Sequence, residues 1–207
     1  MQEEVQQVAQ IQYEAIEVEP ECVVPTSLKW PPGLMGIIAQ FIYNNSKMPV
    51  REISVVAALA FASGLFGKSH NISKSGLNTY LILLARSGVG KEGMQTGLSL
   101  LLRELREGVT GLETMVNFSE FVSGPALLKA VAQTPCFVNV VSEFGRKLQR
   151  FSGDNPDSPA QSLRTAMTQL YQKSGAGMIV GGLGYTGKDQ SVMATNAVAY
   201  SFLGEST

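Results

Sequence analysis

Histidine is nearly missing from this chain, with His70 the only one. That excludes a multi-histidine metal centre and any intrachain mechanism needing two imidazoles. Beside Ser69 and Asn71, His70 reads as a surface or turn residue. Cysteine is almost as scarce. Cys22 and Cys136 lie far apart with no metal-type spacing, so reduced thiols in a cytoplasmic protein are the expectation. Neither sign of charge is in excess, with 16 basic against 17 acidic side chains, so no global field draws the chain to nucleic acid. Any such contact must be local, in a loop or a pore. The longest apolar stretch, Val55 to Phe66, is too short to span a bilayer and is broken by Ser63 and Gly64, so no membrane partner is expected. The first residues are rich in Glu and Gln rather than basic and then apolar, which excludes a signal peptide. Repeats and low-complexity tracts are absent too.

What remains is an ordinary globular composition in 207 residues, enough to bury roughly two thirds of the unfolded surface. One domain, or one with a helical appendage, is the natural reading. Residues 1–30 are acidic, carry Pro20 and Pro25, and suit a linker to something upstream. After Trp30-Pro31-Pro32-Gly33, the spacing of Leu34, Ile37, Ile38, Phe41 and Ile42 predicts a helix up to Asn44. A second, nearly all-round apolar helix is predicted from Val50 to Phe66, ending at Gly67, and should be buried. Residues 31–70 thus form a small helical segment.

From 71 onward the pattern becomes strands alternating with helices. Strands are expected over 77–84, near 115–118, over 136–141, at 178–180 as part of a hairpin, and over 197–203. Helices are expected up to about Arg106, from Ser123-Gly124-Pro125 to Ala132, and over Gln161–Tyr171, with a loop at 152–159. That order predicts an α/β fold: a parallel sheet with helices on both faces, over residues 71–207.

The most informative run is Ala85-Arg86-Ser87-Gly88-Val89-Gly90-Lys91, between an apolar strand and a helix opening at Glu92-Gly93. Strand, glycine-bearing loop and helix together cradle a nucleoside triphosphate. The glycines let successive main-chain N–H groups face phosphate oxygens, the helix adds its positive end, and Lys91 reaches the outer phosphates. Residues 86–93 are therefore the candidate ATP contacts. The other reading is a glycine turn that merely caps a helix.

The expected motif follows its lysine with Ser or Thr to hold Mg²⁺, and Glu92 stands there instead. A second departure lies in Val140-Val141-Ser142-Glu143. In P-loop ATPases the strand beside the phosphate loop often ends in two acids, the first holding Mg²⁺ and the second polarising the attacking water. Glu143 occupies the second position, as a candidate catalytic residue with Lys91, or else as an exposed acid opening a helix. Ser142 replaces the first acid. The two departures suggest a reciprocal exchange, with Glu92 and Ser142 together binding Mg²⁺. A decayed site, or a Glu92 that only favours the helix N-terminus, are the competing readings. At the end of the last strand, Ser206 or Thr207 could sense the γ-phosphate. Before that strand, Lys188 or Lys173 could touch a nucleic-acid backbone, or lie in an ordinary surface loop.

Together these motifs, with Pro31-Pro32-Gly33-Leu34, Ser142-Glu143-Phe144-Gly145-Arg146 and Phe202-Leu203-Gly204-Glu205-Ser206-Thr207, resemble a family of phage, plasmid and prophage proteins. These carry a helical segment before a RecA/AAA+-like P-loop ATPase core, often as the helicase half of primase–helicases. The resemblance spans roughly residues 31–207 and implies ATP phosphate binding at Gly88, Gly90 and Lys91, an acidic catalytic position at Glu143, and a sensor strand reaching Ser206. It further implies single-stranded DNA as partner and a homo-oligomeric ring. The family continues into further strands, an arginine finger and partner contacts, so a core truncated after its sensor strand is the expectation for 71–207. A non-hydrolysing nucleotide-binding scaffold and a packaging-type motor ATPase are the alternatives.

Overall fold

The computed structural model describes residues 28–152, 158–184 and 191–207. Helix α1 (Gly33–Asn44) and helix α2 (Arg51–Phe66) come first. Arg51 staples the entry to both, donating to the Leu28 carbonyl at 2.7 Å while its guanidinium lies 5.0 Å from the Trp30 ring centre. A turn between two-residue strands β1 (Asn71–Ile72) and β2 (Ser75–Gly76) leads to β3 (Tyr80–Leu84). There follow α3 (Glu92–Leu105), α4 (Leu112–Met115), β4 (Val116–Asn117), α5 (Gly124–Gln133) and β5 (Cys136–Val141). The chain closes with α6 (Phe144–Ser152), α7 (Ser158–Gln172), β6 (Ile179–Val180), β7 (Thr195–Asn196) and β8 (Ala199–Ser206).

Four strands form one all-parallel sheet in the order β3-β8-β5-β4. β8 lies at its centre and is buried at every position except the half-buried Glu205, as expected of a strand covered on both faces. Side chains alternate along the strands. Val138, Val140 and Leu203 point to a core shared with α1, α2, α3 and α4, whereas Phe137, Val141, Tyr200 and Phe202 point to one shared with α5, α6 and α7. The nine buried residues of α2 include Ala57, Ala58 and Phe61, and its contacts run along β5 and β8. Residues 31–66 thus belong to the layer covering one face of the sheet.

The second core contains a buried polar staple. Asn139, in mid-strand, donates to the carbonyls of Asn117 and Ser119 at 3.0 and 2.9 Å, and accepts from the Tyr200 hydroxyl at 3.4 Å. Burial lifts the hydroxyl pKa of both Tyr80 and Tyr200 well above the usual tyrosine value, and Tyr200 and Tyr171 raise that of Tyr80 further.

Several expectations shift. The strand expected over 77–84 starts only at Tyr80, because the N–H groups of Leu77 and Thr79 donate outside the ladder, to the Gly67 carbonyl and the Ser201 hydroxyl. It is an edge strand, with Ile82 and Leu84 exposed. The last strand runs 199–206 rather than 197–203, since Ala197 takes a left-handed backbone, φ 51°, just before it. The Glu143 strand is not beside the strand that feeds the 85–91 loop. β8 lies between them, bonded to both. The acidic segment 1–27, the middle of the 152–159 loop at 153–157, and Lys188 fall outside the described residues. Among those described, no helix is long and apolar enough to cross a membrane.

Candidate functional site

Where β3 ends, the main chain is still tied to β8, with the Ala85 N–H donating to the Ser206 carbonyl at 3.2 Å. The loop then curls through Gly88 and Gly90, at φ +78° and +86°, a region costly for residues with a Cβ. Gly90 is also packed on Met48, where a Cβ would collide with the carbonyl oxygen, while Gly88 faces open space. The N–H groups of Ser87, Gly88, Val89 and Gly90 donate to no acceptor among the described residues. A run of free main-chain donors followed at once by the N-terminus of α3 favours an anion, since both present partial positive charge.

Lys91 closes the loop and is only 9% exposed. Its ammonium donates to the carbonyls of Ala85 at 2.9 Å and Ser206 at 2.7 Å, and has no carboxylate partner among the described residues. The charge is thus held by neutral oxygens alone, and an anion arriving here meets an uncompensated cation.

The facing wall grows from β5. Beyond Val141 and Ser142, Glu143 takes φ +51°, a left-handed conformation costing a non-glycine residue about 1–3 kcal/mol, and such residues cluster at functional sites. Its carboxylate is exposed, 3.8 Å from the Nε of Arg146 one turn on. Gly145 permits α6 to start there, because its missing Cβ leaves room for the Ser206 side chain. The walls enclose a cleft of about 740 Å³ beyond the carboxyl ends of the parallel strands, lined by Ser87, Lys91, Glu143, Arg146, Ser206 and Thr207 among others. Glu205 adds a carboxylate whose Oε2 is buried without a hydrogen-bond partner.

Five residues expected from the sequence, Ser87, Lys91, Glu143, Ser206 and Thr207, therefore meet in one cleft. Gly88, Val89, Gly90 and Gly93 shape the loop and helix start without lining it, and Arg86 is exposed outside it. The expected Mg²⁺ pair lies outside this cleft. Glu92 lies exposed in a groove on the outer side of α3 with Gln95, Thr96 and Ser99, and the Ser142 hydroxyl donates to Gln95 Oε1 at 2.8 Å. Neither lines the cleft, and no group of three or more His, Cys, Asp or Glu among the described residues is arranged for a metal. Lys173 follows α7, next to Ser174, whose carbonyl accepts from Gly76 near the start of the sheet. That is the end of β8 opposite the cleft, and the β6–β7 hairpin rises from the same end.

Sequence reasoning gave no role to Arg146 or Glu205. A signal for the first was legible: an acid and a cation three residues apart, opening a helix. No protein-family model matches the chain, and no curated protein matches it.

Proposed function

We propose that this chain is the ATP-binding core of a P-loop ATPase of RecA/AAA+ type, serving a mobile-element DNA replication protein of the helicase or primase–helicase kind. One observation carries the reading. Ser87, at the head of a loop with free main-chain donors, the buried ammonium of Lys91 and the strained acid Glu143 line one cleft beyond the carboxyl ends of a parallel sheet. That is where open α/β sheets bind their ligands.

The 87–90 amides and Lys91 hold the phosphate chain, and binding replaces the two carbonyls around the ammonium by phosphate oxygens. Glu143 orients a water and takes its proton as the water oxygen attacks the terminal phosphorus and the bond to the leaving diphosphate breaks. Ser206, buried at the tip of the strand between the two walls, is placed to register the loss of the terminal phosphate. Single-stranded DNA and further copies of the chain in a ring belong to the same reading.

Calorimetric titration with ATP, with and without Mg²⁺, tests it. Binding that disappears in Lys91→Met supports the reading, and no binding by the unaltered protein overturns it. Nucleotide binding without turnover is the second reading, favoured by the removal of both Glu92 and Ser142 from the cleft. Phosphate release in one turnover separates the two, and stimulation by duplex rather than single-stranded DNA would indicate a packaging-type motor.

A further inference from the structure

We infer that Arg146 is the residue that recognises the terminal phosphate, exchanging its contact with Glu143 for the γ-phosphate of a nucleoside triphosphate. The inference rests on the nucleotide reading of the cleft.

Two cations line the cleft, and they stand on opposite walls: Lys91 after β3 and Arg146 in the first turn of α6. Lys91 is tied to the tip of β8 and reaches the cleft from the loop side. Arg146 has 83% of its side chain exposed, and its one partner among the described residues is Glu143, met through Nε at 3.8 Å, beyond hydrogen-bond distance. Both Nη groups are therefore without acceptors, and a guanidinium presents them as a planar fork that suits two phosphate oxygens at once. Gly145 seats the start of α6 directly on Ser206, which fixes the Arg146 backbone against the cleft wall.

The contact with Glu143 gives the exchange its consequence. While the guanidinium faces Glu143, the carboxylate shares its oxygens with a cation. Once the terminal phosphate takes that cation, Glu143 is free to hold the attacking water. A diphosphate lacks the group that draws Arg146 away. The cleft thereby couples sensing of the third phosphate to readiness of the base, within one helical turn of a single chain.

The experiment measures the affinities of ATP and ADP for the full chain and for Arg146→Gln, Arg146→Lys, Glu143→Gln and the Glu143→Gln/Arg146→Gln double variant. Arg146→Gln is expected to weaken ATP at least tenfold and ADP less than twofold, with Arg146→Lys restoring only part of the loss because an ammonium offers no fork. Glu143→Gln, which removes the competing acid, is expected to tighten ATP several-fold, and to do so only while Arg146 is present. Equal losses for ATP and ADP in Arg146→Gln, or no loss in either, overturn the inference and leave nucleotide binding intact. So does an effect of Glu143→Gln that persists without Arg146. If the unaltered protein binds neither nucleotide, the underlying reading fails and takes this one with it.

Discussion

The ammonium of Lys91 lies 2.7 Å from the carbonyl oxygen of Ser206, joining the 85–91 loop to the tip of the central strand across 115 positions of sequence. Hydrogen bonds from a charged donor stabilise, but a buried ammonium without a counter-charge loses much of that gain to desolvation. Lys91→Met should therefore change stability by less than about 1 kcal/mol, a melting shift within roughly 4 °C for a chain of this size. It should still abolish ATP binding. A collapse in melting temperature would show that the lysine is primarily a structural tie.

Gly145 and Ser206 form a second close pair, with the serine side chain in the space a Cβ would fill. Gly145→Ala should destabilise by about 1–3 kcal/mol through overpacking. Ser206→Gly introduced alongside it should recover at least half of that loss. Thermal melts of both single variants and the double variant check this, and strict additivity would refute the pairing.

The two loop glycines differ in a measurable way. Both hold positive φ, but only Gly90 is also closed in, by Met48. Gly88→Ala should cost about 1 kcal/mol from backbone strain alone, and Gly90→Ala should cost more, since strain and collision add. Chemical denaturation of the two variants gives the order. The reverse order would mean that the loop relaxes freely around Met48.

Alkaline conditions should unfold the protein through its second core. Burial holds the folded-state pKa values of Tyr80 and Tyr200 above the ordinary tyrosine value of 10.0, and it also lifts Cys136 above the ordinary thiol value of 9.0. Each group ionises more readily in the unfolded chain. Their contribution to stability is therefore complete below pH 9 and falls as pH rises beyond 9 to 10. Absorbance near 295 nm should show two tyrosines titrating only with the loss of circular dichroism. Their ionisation in a still-folded protein would contradict the burial.

The sequence made α1, α2, β5 and the 85–91 loop legible because each has a local signature: helical spacing, an unbroken apolar run, or glycines before a lysine. Helix α6 was anticipated only as a helix that Glu143 could open, without bounds, since Gly145 interrupts its first turn and only Phe144 and Phe151 mark its buried face. The tip of β8, implied by the family resemblance, was not legible in the apolar pattern for a related reason. Gly204-Glu205-Ser206 has no apolar pattern, yet it continues as strand because β3 flanks it throughout and β5 as far as Gly204. Lys91 and Glu143 were identified individually, but their separation by an intervening strand is a non-local fact that neither motif encodes. The expected Mg²⁺ pair lies outside the cleft, because the side on which Glu92 emerges from α3 depends on helix phase, which the motif does not encode.

That intervening strand also sets a gauge. Adjacent strands stand about 4.8 Å apart, so the rails that carry the lysine and the glutamate run about 9.6 Å from each other. A compact anion would leave one of them idle. Whatever occupies both at once must be drawn out lengthwise, with its two ends in different chemical hands.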